Sequence, residues 1–305
     1  MENGIKKVSF LCEWGKNSKE LCDFYTKMTP NCSGIWNNLL CTDDIFQSDY
    51  LVILENLPED FSEDDFNKID FQKTLYVRRE PTFIHRGNRV EDKTFLNVNY
   101  KNFFHICDWQ MNKSFDFLDN LKPPEKSKKL VCIISGKTFT KEHIKRLNFL
   151  KKLCNKYPNK IDLYGRQFAE KDIVDLGISY KGELKNDGDC KYLGLIDYEY
   201  CLSLENNKER NYFTEKICDA FLAWSIPIYY GCPNLSDYFY EKSYYEIDIG
   251  DEDRSIEYIM EIIKKPVSKV DLCNISISRK KILYEYSFWP ALYTVLNRKR
   301  GTMLL

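Results

Sequence analysis

From Leu130 onward the chain alternates short apolar runs with stretches whose apolar residues return every three or four positions. LVCII at 130–134 is followed by Ile144, Leu147, Leu150 and Cys154 at helical spacing, and then by IDLYG at 161–165. YCLSL at 200–204 precedes Ile217, Ala220, Phe221 and Trp224, at i, i+3, i+4 and i+7, and then IPIYY at 226–230. YYEIDI at 244–249 leads into Ile256, Ile259, Met260 and Ile263, stopped by Pro266. Strands that are apolar throughout are buried on both faces, and helices between them imply parallel pairing with right-handed crossovers. The pattern predicts an α/β fold.

The first half carries a weaker version of the same pattern. Ile5 to Cys12 reads as a strand, Leu21, Phe24, Tyr25 and Met28 as one helix face, and Tyr50–Leu54 and Thr74–Val77 as buried strands. Between the halves lies NLKPPEKSKK at 120–129, with adjacent prolines and five charges, which reads as a linker. At 305 residues the chain is long enough for two cores. We expect two Rossmann-like domains facing a cleft, over residues 1–122 and 123–275. A helical segment over 276–305, interrupted by Pro290 and carrying Ile282, Tyr286, Trp289 and Tyr293, is expected to pack back across them.

Lys plus Arg total 45 against 46 Asp plus Glu, so no basic excess points to nucleic acid. No apolar run is long enough for a signal peptide or a membrane-spanning helix, and a soluble, cytoplasm-like setting is expected. The twelve cysteines are spread singly and share no ligand spacing with His85, His105 and His143, which predicts reduced thiols and no metal site.

In open parallel sheets ligands bind beyond the carboxyl ends of the strands. Arg166 follows IDLYG, Glu205-Asn206 follows YCLSL, and Thr214-Glu215-Lys216 opens the next helix. A helix start already offers free amides and partial positive charge to an anion, and two added cations make a diphosphate the natural ligand. The same residues also fit a solvated first turn and a surface ion pair. Spacing leaves both readings open, because no glycine-rich phosphate loop accompanies them.

The residues from Tyr198 to Phe239, YEYCLSLENNKERNYFTEKICDAFLAWSIPIYYGCPNLSDYF, resemble the hallmark of family 10 glycosyltransferases, the α-1,3/4-fucosyltransferases. The stretch ending in IDLYGR is similar to another family segment. Leu204 stands where the family usually has Phe, and Gly136 where Asn is common. The resemblance covers Leu130 to Ile249 well and the first 120 residues weakly. It implies a GT-B fold, with an N-terminal acceptor domain and a C-terminal donor domain. It further implies inverting transfer of fucose from GDP-fucose to a glycan hydroxyl, with no cofactor and no metal.

Carried over by motif, Arg166 and Lys216 would neutralise the diphosphate. Glu215 would hydrogen-bond ribose or fucose hydroxyls, and Asn206 and Tyr212 would help hold the nucleotide. The general base should come from the acceptor domain. Glu80, at the end of TLYVRREP, is the candidate, with Glu13 in CEWG as its competitor and Trp14 as a sugar-stacking residue. Asp187-Gly188-Asp189 looks like a metal-binding DxD, but it follows a polar run and reads as a turn. Two alternatives stay open: the same fold using another nucleotide sugar such as GDP-mannose, and a non-catalytic nucleotide- or carbohydrate-binding module.

Overall fold

The computed structural model describes residues 4–82, 90–99, 101, 103, 106–184 and 190–297. The chain divides into two compact units. One comprises Met1–Cys107, Ser114–Asn120 and Leu283–Leu305, and the other Asp108–Lys113 and Leu121–Ile282.

The first unit holds strands β1 (Lys6–Cys12), β2 (Ile35–Trp36), β3 (Leu39–Cys41), β4 (Tyr50–Leu54), β5 (Thr74–Val77) and β6 (Leu96–Val98), with helices α1 (Ser18–Thr26), α2 (Glu63–Lys68) and α3 (Phe115–Asn120). Its sheet runs β2-β3-β1-β4-β5-β6 and is parallel except for β2 and β3. Those two form a hairpin around Asn37, whose φ of 53° is a left-handed conformation that Asn tolerates at a turn. β5 is buried along its whole length, as expected of a strand covered on both faces. A capping box between Asn17 and Glu20 starts α1, which buries Leu21 and Tyr25.

The second unit holds β7 (Lys128–Ile133), α4 (Lys141–Lys156), β8 (Asp162–Tyr164), α5 (Glu170–Leu176), α6 (Cys190–Ile196), β9 (Tyr198–Leu204), α7 (Glu215–Leu222), β10 (Ile226–Tyr230), β11 (Tyr245–Glu246), α8 (Glu252–Ile263) and α9 (Lys269–Lys281). All its pairings are parallel, in the order β11-β10-β9-β7-β8. The strand expected over 244–249 shrinks to two paired residues at the sheet edge. Residues 121–126 do not hang free: Trp224 Nε1 donates to the Leu121 carbonyl at 2.9 Å. The Lys126 ammonium donates to the carbonyls of Ile196 and Ala223, both at 2.9 Å, and to Ser225 Oγ at 3.3 Å.

After a π turn over Ile282–Tyr286 the chain rejoins the first unit as α10 (Phe288–Asn297). Pro290 lies in the first turn of α10, where its missing N–H has no helical acceptor to lose, so it starts the helix instead of breaking it. Phe288 and Trp289 join Phe10 and Tyr25 in one ring cluster, and Trp289 Nε1 donates to the Tyr25 carbonyl at 2.8 Å.

Strand order matters for function. In each sheet the chain first builds to one side of the opening strand and then crosses to the other. The crevice between diverging connections therefore lies at the carboxyl ends of β1 and β4 in one unit, and of β7 and β9 in the other.

Candidate active site

In the second unit the β9 to α7 connection crosses the switch point. Glu205, directly after β9, is fully buried, and its carboxylate accepts the Thr214 amide at 2.8 Å and the Thr214 hydroxyl at 2.7 Å. Thr214 is the N-cap of α7, and its Oγ1 in turn accepts from Lys216 N and from Lys216 Nζ at 3.0 Å. The Lys216 ammonium also lies 3.2 Å from Glu215 Oε1 and 3.4 Å from Glu205 Oε2. Burial pushes the Glu205 carboxyl up against the pull of Lys216. Burial would push Glu215 up as well, but Lys216 and Lys191 win and hold it well below the usual carboxylate range.

Two glycines make this edge possible. A Cβ on Gly231, just past β10, would come within 2.4 Å of Glu205 Cγ, so only glycine leaves room for the buried carboxylate. A Cβ on Gly165, just past β8, would fall 1.6 Å from the Ile134 carbonyl oxygen. Glycine there lets the end of β8 close on the end of β7 and sets the exit direction of Arg166.

Asn206 is half-buried, and its Oδ1 accepts from Arg146 Nη1 at 2.6 Å. Arg146, on α4 and 1% exposed, also donates to the Leu204 carbonyl at 3.0 Å, while its Nε has no partner among the described residues. Burial pulls its pKa down, offset in part by Cys132, Glu205, Tyr212 and Glu215. Arg146 thus fixes Asn206 and adds buried positive charge behind the site. Sequence reading missed it because an arginine within a helix pattern looks like a solvated face. It marked Glu205 at the end of an apolar strand but gave it no role in the site.

Asn206, Tyr212, Glu215 and Lys216 therefore share one connection, and Arg166 leaves the same edge of the sheet two residues past β8. Arg166 is exposed and makes no side-chain hydrogen bond or ion pair among the described residues, whereas Lys216 is held by two carboxylates. Tyr212 is only 2% exposed, so its ring acts on the connection through packing.

In the first unit Glu13 and Trp14 directly follow β1; Glu13 is half-buried and Trp14 is 43% exposed. Glu80 lies three residues past β5 and is also half-buried. Because Cys12 pairs with Leu54 and Leu54 with Val77, the ends of β1, β4 and β5 form one row along this edge. Between the two expected carboxylates sits one that sequence reading did not single out: Glu55, 4% exposed with φ 64°, directly after β4. Asp187-Gly188-Asp189, His85 and His105 lie outside the described residues. Among the described residues no group of three His, Cys, Asp or Glu side chains could hold a metal ion, and no helix is long and apolar enough to cross a membrane.

Residues 123–268 match the sequence profile of the C-terminal part of glycosyltransferase family 10, the fucosyltransferases. The chain is similar to the α-(1,3)-fucosyltransferase FucT of Helicobacter pylori, 39% identical over 66 residues, which are 21% of this chain and 14% of that protein. It is 26% identical over 204 residues to 4-galactosyl-N-acetylglucosaminide 3-α-L-fucosyltransferase 9 of Rattus norvegicus, over 64% of this chain and 50% of that protein. The chain thus spans half or less of the length of these relatives. Among solved structures, an α1,3-fucosyltransferase aligns with 97% of this chain and 91% of its own at 17% identity and a TM-score of 0.49. An α-glucosyltransferase solved with UDP and a 13-mer DNA aligns with 97% of this chain and 100% of its own, at 10% identity and a TM-score of 0.60. That last likeness concerns the fold: two α/β units with parallel sheets, the GT-B architecture. What these comparisons show is therefore a match of residues 123–268 to the C-terminal part of glycosyltransferase family 10, the fucosyltransferases.

Proposed function

We propose that the chain transfers fucose from GDP-fucose to a glycan hydroxyl with inversion at the anomeric carbon, in the manner of an α-1,3-fucosyltransferase. The observation that carries this reading is the β9 to α7 connection. A capped helix start, a lysine in its first turn and an arginine-held asparagine meet at the switch point of a parallel sheet, inside the segment that matches the family. Such a helix start favours a bound diphosphate, and carboxylates that hold Lys216 in the free protein keep the ammonium oriented for it.

In the reaction we assign to it, Glu80 takes the proton of the acceptor hydroxyl as that oxygen bonds to the anomeric carbon. The bond from that carbon to the diphosphate oxygen breaks, and its electron pair leaves with GDP. Lys216 and Arg166 oppose the negative charge that grows on the leaving diphosphate. Glu215, kept ionised, accepts from ribose or fucose hydroxyls, while Asn206 and the packing of Tyr212 hold the nucleotide end. Glu13 is the competing base, and Trp14, exposed beside it, offers a face to the acceptor sugar. The donor and acceptor steps so described use no metal and no cofactor.

The test is a donor panel followed by transfer. GDP-fucose should raise the melting temperature more than GDP-mannose or any UDP-sugar. NMR of the product should show the anomeric configuration opposite to that of the donor. Preferential stabilisation by a UDP-sugar refutes the donor assignment. Donor binding without transfer to any glycan of a broad acceptor set points instead to a binding module.

A further inference from the structure

The loop that carries Glu80 is held by more than its place in the chain. Glu55 Oε2 accepts the amide of Arg79 at 2.6 Å and the amide of Glu80 at 2.9 Å. Arg78 Nε donates to the Glu80 carbonyl at 3.2 Å, and Arg78 Nη2 to the carbonyls of Pro81 at 3.4 Å and Thr82 at 3.2 Å. Arg79 Nη1 donates to the Ile106 carbonyl at 2.7 Å. The peptide groups on both sides of the Glu80 Cα are therefore anchored, one to a carboxylate and one to a guanidinium. φ and ψ at Glu80 are fixed in this way, and with them the direction in which its side chain leaves the backbone.

Glu55 meets this requirement at a cost. It is 4% exposed, and its backbone occupies the left-handed region at φ 64°, which is sparsely populated for a residue with a Cβ. A glycine would relieve that strain but supply no acceptor. Burial of a carboxylate and backbone strain at one position are typical of functional sites, where the surroundings impose both. The position lies where they would be useful: Glu55 directly follows β4 at the switch point of the first sheet, in the row between Glu13 and Glu80.

We propose that Glu55 is a positioning residue for the reaction: its carboxylate fixes the backbone of Glu80 so that the Glu80 side chain is presented to the acceptor hydroxyl in one orientation. This rests on the reading of Glu80 as the base. Since a misplacement of about 1 Å can cost roughly 100-fold in rate, the expected effect is on turnover and not on donor binding.

The experiment compares the full chain with its E55A, E55Q and E80Q variants. E55A should lower kcat by about 10- to 100-fold with the KM for GDP-fucose within about two-fold of wild type. E55Q, which keeps an acceptor of the same shape, should recover most of that loss, a rescue that mere destabilisation would not give. Hydrogen exchange should show the amides of Arg79 and Glu80 deprotected in E55A and protected in E55Q, whether or not transfer is measured. E55A with wild-type kcat, or with these amides still protected, overturns the proposal, and so does E55Q as slow as E55A while its amides stay protected. E80Q separates the two ideas. If E80Q still transfers at the wild-type rate, the assignment of Glu80 as base fails. If E80Q is inactive and E55A is not, only the role of Glu55 fails.

Discussion

Glu205 allows a sharp test of how the donor edge is built. In the native protein its carboxylate receives two hydrogen bonds from Thr214, at 2.8 and 2.7 Å, and Thr214 is itself only 3% exposed. Replacing Glu205 by Ala leaves a buried amide and a buried hydroxyl without an acceptor. Each hydrogen bond to a charged group contributes about 1.5–3 kcal/mol, so the loss should come to about 4 kcal/mol. Spread over a unit of this size, that corresponds to a fall of roughly 10 °C in its melting temperature. E205Q keeps the volume and one carbonyl acceptor, and should cost only about 1–2 kcal/mol. Urea unfolding followed by far-UV circular dichroism gives both values, and calorimetric titration with GDP gives the functional consequence. Because Glu205 orients the cap that positions Lys216, E205A should weaken GDP at least about ten-fold, equivalent to about 1.4 kcal/mol. If E205A unfolds within about 1 kcal/mol of wild type, then Glu205 does not clamp α7 and the account of this edge is wrong.

The other predictions concern charge, packing and pH. K216A and R166A should each weaken GDP by about ten-fold or more while the far-UV spectrum is retained, and unchanged GDP affinity in both removes the diphosphate assignment. G165A must push apart the ends of β7 and β8, since its Cβ would fall 1.6 Å from the Ile134 oxygen; a loss of about 3 kcal/mol is expected, and a neutral result in thermal unfolding contradicts the close approach. His143 is 6% exposed, and burial, with Arg146, Lys137 and Lys216 nearby, pushes its imidazole down from 6.5 to about 4. The unfolded chain then binds the proton more readily than the native protein, so this stability is full above pH 6.5 and is lost as the pH falls toward 4, by about 3 kcal/mol. H143Q should flatten the acid limb of a pH series of urea midpoints, and an unchanged slope rules out this source.

Much of the second unit was legible because its strands are buried on both faces and its helices are amphipathic. The runs at 130–134, 200–204 and 226–230 became β7, β9 and β10 with boundaries shifted by at most two residues. A helix opening at Thr214-Glu215-Lys216, and Arg166 beyond a strand, follow from local spacing, which local hydrogen bonding enforces. The weaker first unit yielded its central strands β1, β4 and β5, but not the β2–β3 hairpin or β6. Those elements are only two or three residues long, too short for any periodicity to show.

Strand order was a different matter. Nothing local states that β9 crosses to the far side of β7 or that β4 crosses to the far side of β1, because order is settled by which buried faces pack best across the whole sheet. That choice puts Glu205 at one switch point and Glu55 at the other, and it brings Arg146 from α4 to Asn206 across 60 positions of sequence. The sequence alone determined the α/β class and the helix start that carries Thr214, Glu215 and Lys216. Only the tertiary structure decided which buried carboxylates hold the site in place, because a carboxylate reveals its role through the donors that surround it.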